Sequence, residues 1–392
     1  MSEWKEYKIK DITSRITSGG TPKSSEASYY DGTIPWLNTK EINFNRITKT
    51  ERYITKEGLN NSSAKWIPKG SVIVAMYGAT AAKVAYSQID LTTNQACCNL
   101  IIDEDKANSQ FVYYYIQSSY EELLNLACGA AQQNLSVGVI GDFQISLPPL
   151  DEQKRIASIL GSLDDKIDLL NRENATLETM AEALFRQWFI EEVKEDWEEG
   201  KLGDILSVKG GTTPSTKESR YWDGDIAWTS PRDITTLIGI YLFKTEKSIT
   251  QAGLRQISSG LLPKGTLLMS SRAPVGVLAF AEIPLAINQG YIAIIDDKGY
   301  AKEFIYLWLK ANMDLVHSYS NGSTFMEISK SAFKSLDITI PSQKVVSDFV
   351  TMIKPYFDKI KLNEEQFRLI AKQRDILLRQ LMHHEINIYC CG

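Results

Sequence analysis

Two stretches of the chain place apolar residues at alternating spacings of four and three, which forms one continuous seam on a helix. The first seam covers residues 156–188 and the second covers residues 349–381. A period of 3.5 residues is typical of a coiled coil rather than of a helix on a globular core. The sequence therefore predicts two helices, each about 50 Å long at 1.5 Å per residue, that pack through these seams.

Each seam contains one asparagine, Asn174 in the first and Asn363 in the second. If the two helices run antiparallel with their ends matched, these asparagines face each other near the middle of the pair. A buried asparagine pair costs stability but fixes the register of a coiled coil. Two tolerated polar residues are the alternative interpretation. The second seam also contains Arg374, which would face Leu163 and which we expect to extend to the edge of the pair.

The stretches before the two seams have the short apolar runs of a loop-rich α+β domain. Runs bounded by glycine at 70–78 and 265–276 are typical of buried strands, and a second apolar run follows each of them. Residues 109–127 and 302–319 favour helices, and residues 142–150 and 335–342 favour a last strand closed by proline. Each half is predicted to be an α+β module of about 150 residues.

The two halves of the chain are copies of one another. Offsets of 192 to 195 residues, in unbroken order, match Pro22 with Pro214, Trp36 with Trp228, Asn94 and Gln95 with Asn288 and Gln289, and Gly129 with Gly322. The predicted domains are a first module at 1–150, a first coil helix at 151–192, a second module at 193–341 and a second coil helix at 342–388. The predicted fold class is α+β, with two similar modules separated by an antiparallel coiled coil of pseudo-two-fold symmetry. Such a pair would carry the modules at opposite ends, as required to read half-sites ~34–36 Å apart on DNA.

Composition places the chain among soluble globular proteins, with 43% hydrophobic and 23% charged residues in 392. No apolar run has the length of a membrane span, and the start of the chain does not resemble a signal peptide. Five cysteines show no metal-ligand spacing. We therefore expect a reducing, cytoplasmic location.

The net charge of −5 argues mildly against a chain that binds nucleic acid unaided. Residues 191–199, with six acids and one lysine, account for all of it. The remainder is neutral, so local patches could bind DNA but a broad basic footprint is missing.

The segment that begins at Gly19 and Gly20 resembles a phosphate cradle at first sight. A nucleotide loop needs glycine, four residues, then Gly-Lys-Ser/Thr, and neither this segment nor its copy has that spacing. Pro22 and Pro214 also remove a backbone donor. A duplicated structural turn and a loop that presents hydroxyls and lysine to DNA both remain open.

Together these features resemble the specificity subunit of a type I restriction-modification system, over essentially the whole chain. The resemblance is carried by "GGTPKSSEASYYDGTIPW" and its copy, by "SSRAPVG", by the paired Asn-Gln positions and by "ISLPPLDEQKRIASIL" at the start of the first coil helix. It implies a subunit without catalysis of its own, whose two target recognition domains each read half of a bipartite, asymmetric target in double-stranded DNA. The coil would set the spacer.

The resemblance also implies partners. Two modification subunits would dock on the coil, whose polar faces include Lys154, Arg155, Asp164, Asp165 and Lys166, and ATP-driven restriction subunits would complete the complex. S-adenosylmethionine, ATP and magnesium are expected on those partners, with no cofactor or metal on this chain. The second coil helix opens differently, with "IPSQKVVSDF", so equal docking on both helices does not follow from the resemblance.

Candidate DNA contacts follow from positions in the repeat, because hydroxyls, amides, lysine and arginine suit phosphates and base edges. In the first module they are Lys23, Ser24, Ser25, Thr39, Lys40, Tyr77, Lys83, Gln132 and Gln133. In the second they are Ser215, Thr216, Lys217, Arg232, Ser271, Arg272, Ser323 and Thr324. A solvated loop position is the alternative for each. For the paired Asn-Gln positions, structural hydrogen bonding is favoured over base reading.

Catalytic interpretations find no support in the sequence. There is no adenine-methylation motif, no glycine-rich S-adenosylmethionine fingerprint and no nuclease cluster, and His317, His383 and His384 lack metal spacing. The prediction is a non-catalytic DNA-recognition subunit. The alternatives are a coiled-coil scaffold whose modules bind proteins, and a decoy paralogue that binds the partners but not DNA.

Overall fold

The computed structural model describes residues 4–128, 134–272, 274–320 and 326–382. Contacts divide the chain into two compact units. The first unit ends at Lys166 and resumes at Ile370, and the second is Ile167–Leu369. Both boundaries fall inside the long helices, so each unit consists of one module together with a segment of each long helix.

The apolar runs predicted as strands in the first half are strands, and the stretch predicted as a helix at 109–127 forms two consecutive helices. Further short strands and helices, which the sequence did not single out, lie between them. The strands are β1 (Lys5–Lys8), β2 (Thr13–Ser18), β3 (Tyr30–Leu37), β4 (Asn45–Ile47), β5 (Arg52–Ile54), β6 (Val72–Ala75), β7 (Val84–Ser87), β8 (Thr92–Thr93), β9 (Cys97–Ile102) and β10 (Gln144–Leu147). The helices are α1 (Lys56–Asn60), α2 (Ser109–Ser118), α3 (Tyr120–Cys128), α4 (Val137–Asp142) and α5 (Leu150–Arg186). A π-helical turn, Gln187–Glu191, follows α5.

The second half repeats this series. The strands are β11 (Glu198–Lys201), β12 (Ser207–Lys209), β13 (Trp222–Thr229), β14 (Tyr241–Leu242), β15 (Lys247–Ile249), β16 (Leu267–Ser270), β17 (Leu278–Ala281), β18 (Leu285–Ile287), β19 (Tyr291–Asp296) and β20 (Asp337–Ile340). The helices are α6 (Leu202–Ile205), α7 (Pro231–Thr235), α8 (Gln251–Leu254), α9 (Lys302–Ala311), α10 (Met313–Ser318), α11 (Lys330–Lys334) and α12 (Gln343–Met382).

The sheets of the two modules have the same strand order. The first module has a five-stranded sheet in the order β2-β9-β6-β7-β4, a three-stranded sheet β5-β3-β8, and the pair β1-β10. The second has β12-β19-β16-β17-β14, β15-β13-β18, and β11-β20. The predicted duplication is therefore a duplication of the fold, and the α+β class is confirmed.

The inner strands of each five-stranded sheet are buried on both faces, which explains their continuous apolar sequences. On β6, Val72 and Val74 pack with Phe111 of α2. The alternate residues Ile73 and Ala75 lie in a separate cluster on the other face. The second module repeats this alternation, with Leu267 and Met269 on the helix side and Leu268 on the other.

The long helices α5 and α12 are antiparallel, as the seams predict. In the second unit the rings of Phe185 and Phe349 lie 6.1 Å apart, and Asn363 Nδ2 donates to Asn174 Oδ1 at 2.8 Å. Residue numbers thus fall along α5 as they rise along α12. In the first unit, Ile156 and Leu160 share a core cluster with Leu378 and Leu381. None of the described helices combines the length and apolar character needed to cross a membrane.

The expectation for Arg374 is wrong. Its guanidinium does not extend to the edge of the helix pair but forms an ion pair with Asp164 at 2.8 Å, and its side chain is only 18% exposed. Asp164, one position beyond the predicted facing residue, also accepts the hydroxyl of Tyr114 at 2.6 Å. A buried carboxylate held by two donors explains why the arginine stays inside.

Candidate nucleic-acid interface

Close contact between backbone segments requires glycine after β2 in the first module and at the matching position of the second module. A Cβ on Gly19 would overlap the carbonyl of Thr93, and one on Gly211 would overlap the carbonyl of Ile287. The backbone N–H of Gly20 donates to the Thr93 carbonyl at 2.9 Å. These glycines therefore seat one loop on another, and they form no phosphate cradle.

The paired Asn-Gln positions hold this seat together. Asn94 Oδ1 accepts from the backbone N–H of Ala96 at 3.1 Å, and Asn288 Oδ1 accepts from Gly290 at 2.8 Å. The next residue in each module binds the glycine loop, because the hydroxyl of Thr21 donates to Gln95 Oε1. In the second module Thr213 donates to Gln289 Oε1 at 2.6 Å. The structural role favoured from the sequence is present in both modules.

Aromatic residues of β3 and β13 fix the other side of each loop. Trp36 Nε1 donates to the carbonyl of Gly20 at 2.9 Å, and the Tyr30 hydroxyl donates to the carbonyl of Pro22 at 2.6 Å. In the copy, Trp222 Nε1 donates to the carbonyl of Ser215 at 3.1 Å. The loop bases are thus pinned, while the candidate contacts that follow are exposed: Lys23, Ser24 and Ser25 in one module, Ser215, Thr216 and Lys217 in the other.

Further turns of the first module meet this loop. The backbone N–H of Asn94 donates to Leu37 at 2.9 Å, that of Met76 donates to Ala96 at 2.9 Å, and the Thr80 hydroxyl donates to the carbonyl of Thr39 at 2.9 Å. The turns at 19–25, 38–41, 76–83 and 93–96 therefore lie together, and we name them the loop edge. It brings together seven of the nine contacts predicted for this module: Lys23, Ser24, Ser25, Thr39, Lys40, Tyr77 and Lys83.

The second module builds an equivalent loop edge from turns 211–217, 230–233, 271–272 and 288–290. Asn288 donates its backbone N–H to Thr229 at 3.0 Å, and Ser271 donates to Gly290 at 2.8 Å. Ser271 is only 3% exposed, because it lies between this bond and a bond from Ile328. The next residue, Arg272, is exposed, and its Nε lies 3.0 Å from Glu327 Oε1.

Lys40 and Arg232 lie at equivalent points on the two edges and share an arrangement. Lys40 forms an ion pair with Glu51 at 2.5 Å, and Arg232 lies 3.8 Å from Glu246. Both basic side chains are well exposed, at 61% and 76%. Exposed pairs of this kind contribute about 0–1 kcal/mol. A phosphate or base edge could therefore replace the glutamate at little cost.

The remaining candidates of the first module are less exposed. Tyr77 is half-buried and packs against the core cluster of its module. Lys83 is also half-buried: its Nζ donates to Asn43 Oδ1 at 2.7 Å and lies 5.8 Å from the centre of the Phe44 ring. Four further candidates, Gln132, Gln133, Ser323 and Thr324, lie outside the described residues.

Sequence reasoning missed two exposed cations beside the loops. The Arg52 guanidinium lies 4.7 Å from the centre of the Tyr30 ring and 5.7 Å from that of Trp36. Lys247 Nζ lies 5.6 Å from the ring of Trp222. An offset of 195 relates Arg52 to Lys247. A basic residue in both copies at this offset was the signal that could have identified them.

Comparison with known proteins agrees with this architecture. The type I restriction modification DNA specificity domain family matches residues 1–179 and again residues 194–370. The chain belongs to this family. It is 27% identical to the MjaIX specificity subunit of Methanocaldococcus jannaschii, over 98% of this chain and 94% of that protein. It is 21% identical to the HindI specificity subunit of Haemophilus influenzae, over 98% and 100% of the two chains.

A solved structure supports the fold of this specificity-domain protein. The S subunit of a type I restriction-modification system from M. genitalium aligns with a TM-score of 0.58, at 17% identity, over 97% of this chain and 96% of that one. At this identity the likeness concerns the fold, including the duplicated modules and the long helices.

The polar face expected on the first coil helix of the specificity-domain protein is smaller than predicted. Asp164 is buried and bonded to Tyr114 and Arg374, and Asp165 forms an ion pair with Arg46 at 2.6 Å. Burial and the carboxylate of Asp164 raise the pKa of Tyr114 above its usual value. Lys154 and Lys166 are exposed. Asp164 is therefore absent from the polar face, whereas the side chain of Asp165 stays 72% exposed beside Arg46.

Within the described ranges, no group of three His, Cys, Asp or Glu side chains is placed to hold a metal ion. The neighbouring Cys97 and Cys98 are buried free thiols. Burial raises the pKa of the Cys98 thiol to about 12. A thiol that stays protonated is a poor nucleophile and a poor ligand, so this pair belongs to the core.

Proposed function

We propose that this chain is the DNA-specificity subunit of a type I restriction-modification complex, and that each module reads one half of a bipartite target. The observation that carries the proposal is the pair of loop edges, which share a scaffold but expose different residues. Lys23, Ser24 and Ser25 of the first edge correspond to Ser215, Thr216 and Lys217 of the second. A duplicated frame with unlike surfaces suits an asymmetric target, whose two halves differ in sequence.

The exposed residues have chemistry suited to duplex DNA. Arginine donates two parallel hydrogen bonds to guanine O6 and N7 in the major groove, and hydroxyls and lysine donate to bases and phosphates. Arg232 and Arg272 carry this chemistry on the second edge, where both side chains are about half exposed or more. The first edge offers lysines instead. In this proposal the chain recognises the DNA, and the partner subunits carry out methylation and cleavage.

The proposal extends to those partners. Two modification subunits would dock on α5 and α12 and supply the S-adenosylmethionine that methylates adenine, and restriction subunits would supply ATP-driven, magnesium-dependent cleavage. The coil would set the spacer between the half-sites. Since the chain outside residues 191–199 has no net charge, partner subunits would contribute much of the electrostatic grip on the DNA backbone.

The test is a binding selection with the assembled modification complex and random duplexes, followed by sequencing of methylated adenines in the host genome. The expected result is one bipartite motif with a fixed spacer, recovered by both methods. A scaffold would assemble the partners without enriching any sequence. A decoy would lower the DNA binding of the partners, and either result would overturn the proposal.

A further inference from the structure

Two exposed polar positions keep their chemistry in both modules although the loops beside them have diverged. One position holds Gln95 and Gln289, and the other holds Arg52 and Lys247. Between them, Lys23 has become Ser215. A residue that reads a base should differ between modules that read different half-sites. A residue kept in both suits a feature that both half-sites share, and all duplex DNA shares the phosphate backbone.

The glutamines are oriented by the loop they anchor. Gln95 Oε1 accepts the hydroxyl of Thr21, and Gln289 Oε1 accepts that of Thr213. The carboxamide therefore turns its oxygen toward the protein in both modules. Over the part of the chain that the structure describes, neither side-chain Nε2 donates a further hydrogen bond. Each module thus presents a pre-oriented N–H donor at its exposed edge.

The cations are oriented by aromatic rings. Arg52 lies over Tyr30 and Trp36, and Lys247 lies over Trp222. Across the described residues, no carboxylate forms a salt bridge with either cation. Lys40 and Arg232 differ in this respect, since each already has a glutamate partner. Arg52 and Lys247 therefore keep a full positive charge available, held in one place by the ring.

The two groups lie on either side of the same loop. Thr21, bonded to Gln95, is followed at once by Pro22, whose carbonyl accepts the hydroxyl of Tyr30 beneath Arg52. In the second module Thr213 bonds Gln289, and Ser215 bonds Trp222 beneath Lys247. Each divergent loop is thus flanked by one neutral donor and one free cation.

We propose that Gln95 with Arg52, and Gln289 with Lys247, are phosphate-binding pairs that hold each loop against the DNA backbone whatever the base sequence. The inference rests on the proposed function and assigns to these four residues a positioning role apart from base reading. Backbone contacts set the register of a reader on the duplex, and the divergent residues between them can then specify the bases.

The test uses the chain assembled with its modification subunits, and measures Kd for the selected target and for a random duplex over a range of salt. Arg52→Ala and Lys247→Ala should each weaken binding to both duplexes by about tenfold. Each should also reduce the slope of log K against log salt by about one. Gln95→Ala and Gln289→Ala should weaken binding to both duplexes equally. They should leave the salt slope unchanged, because the lost donor is neutral.

Two controls separate binding from folding. Arg52→Lys should retain the slope, since charge and ring contact are kept. Lys106→Ala removes a lysine of similar exposure that pairs with Asp103 and contacts the carbonyl of Asp11, beyond the opposite end of β2. It should alter neither Kd nor slope. Melting temperatures of all variants show whether any loss is due to unfolding.

Two results would overturn the inference. One is a loss of affinity for the selected target alone, with a relaxed base preference in one half-site. That result would make these residues base readers. The other is an unchanged Kd with folded variants, which would remove them from the interface. Both presuppose a wild-type complex that prefers its target. Absence of that preference would instead overturn the proposed function.

Discussion

Glu364 of α12 is a buried carboxyl group that the helix periodicity did not single out. It is 3% exposed and accepts the backbone N–H groups of Ile240 and Tyr241 at 2.8 and 3.1 Å. Burial raises its pKa from 4.5 to about 7, although the two backbone bonds oppose the shift. Here the cost of removing a charge from water outweighs two charge-assisted hydrogen bonds.

This residue predicts a pH dependence of stability. Between pH 4.5 and about 7 the folded chain keeps a proton that the unfolded chain releases. The free energy of unfolding should therefore fall as pH rises through this window, by roughly 3 kcal/mol from this group. Glu364→Gln should remove this part of the slope, as measured by urea unfolding from pH 4.5 to 8. The exposed neighbour provides the control, because Glu365→Gln should leave the slope as it is. An equal slope in wild type and Glu364→Gln would contradict the assignment.

At the scale of elements, the asparagine pair between α5 and α12 combines a specific bond with a cost. Asn363 is fully buried and donates to Asn174 and to Glu173 Oε2. Its own Oδ1 has no hydrogen-bond partner among the described residues. An unpartnered buried oxygen costs about 1–3 kcal/mol. Such a pair is retained for register rather than for stability.

The corresponding prediction is a double-mutant cycle. Replacing both asparagines by leucine should raise the free energy of unfolding by about 1–3 kcal/mol, because the unpartnered oxygen is removed. Asn174→Leu alone should lower the free energy of unfolding, since it takes away one of the two acceptors of Asn363. The coupling between the two changes should be at least 0.5 kcal/mol, the range for residues in contact. Additive effects in urea unfolding would show that the asparagines act independently.

The sequence predicted elements better than it predicted contacts between them. The seams and the glycine-bounded strands were visible because periodicity is a local property. The pairing of β1 with β10, across more than a hundred residues, and the bond between Thr21 and Gln95 depend on tertiary approach. Arg374 shows the same limit. Heptad spacing named Leu163 as the facing residue, and the carboxylate that decides the geometry belongs to the next residue, Asp164.

At the scale of the whole molecule, one chain carries two readers built on a common frame. The Gly-Gly seat and the Asn-Gln turn recur in each, and Trp228 Nε1 donates to the carbonyl of Thr212 as Trp36 Nε1 does to that of Gly20. By contrast, Thr39 and Lys40 correspond to Pro231 and Arg232. The frame explains why recognition residues can diverge without loss of fold, because the loop bases are fixed by bonds within each module and not by the residues that diverge. Changes on one edge should therefore affect one half of the target alone.

Arg272 provides the sharpest test of this independence. Its side chain is 48% exposed, and its ion pair with Glu327 is of the exposed kind that contributes about 0–1 kcal/mol, so Arg272→Ala should melt near wild type. If it reads a base, its loss should cost about 1–3 kcal/mol of discrimination at one position. Sequencing of methylated adenines should then show a relaxed base preference in one half-site and an unchanged preference in the other. Lys40→Ala, on the first edge, should relax only the opposite half. Relaxation of both halves by either change would mean that the two modules read DNA jointly, and an intact motif would exclude that residue from base reading.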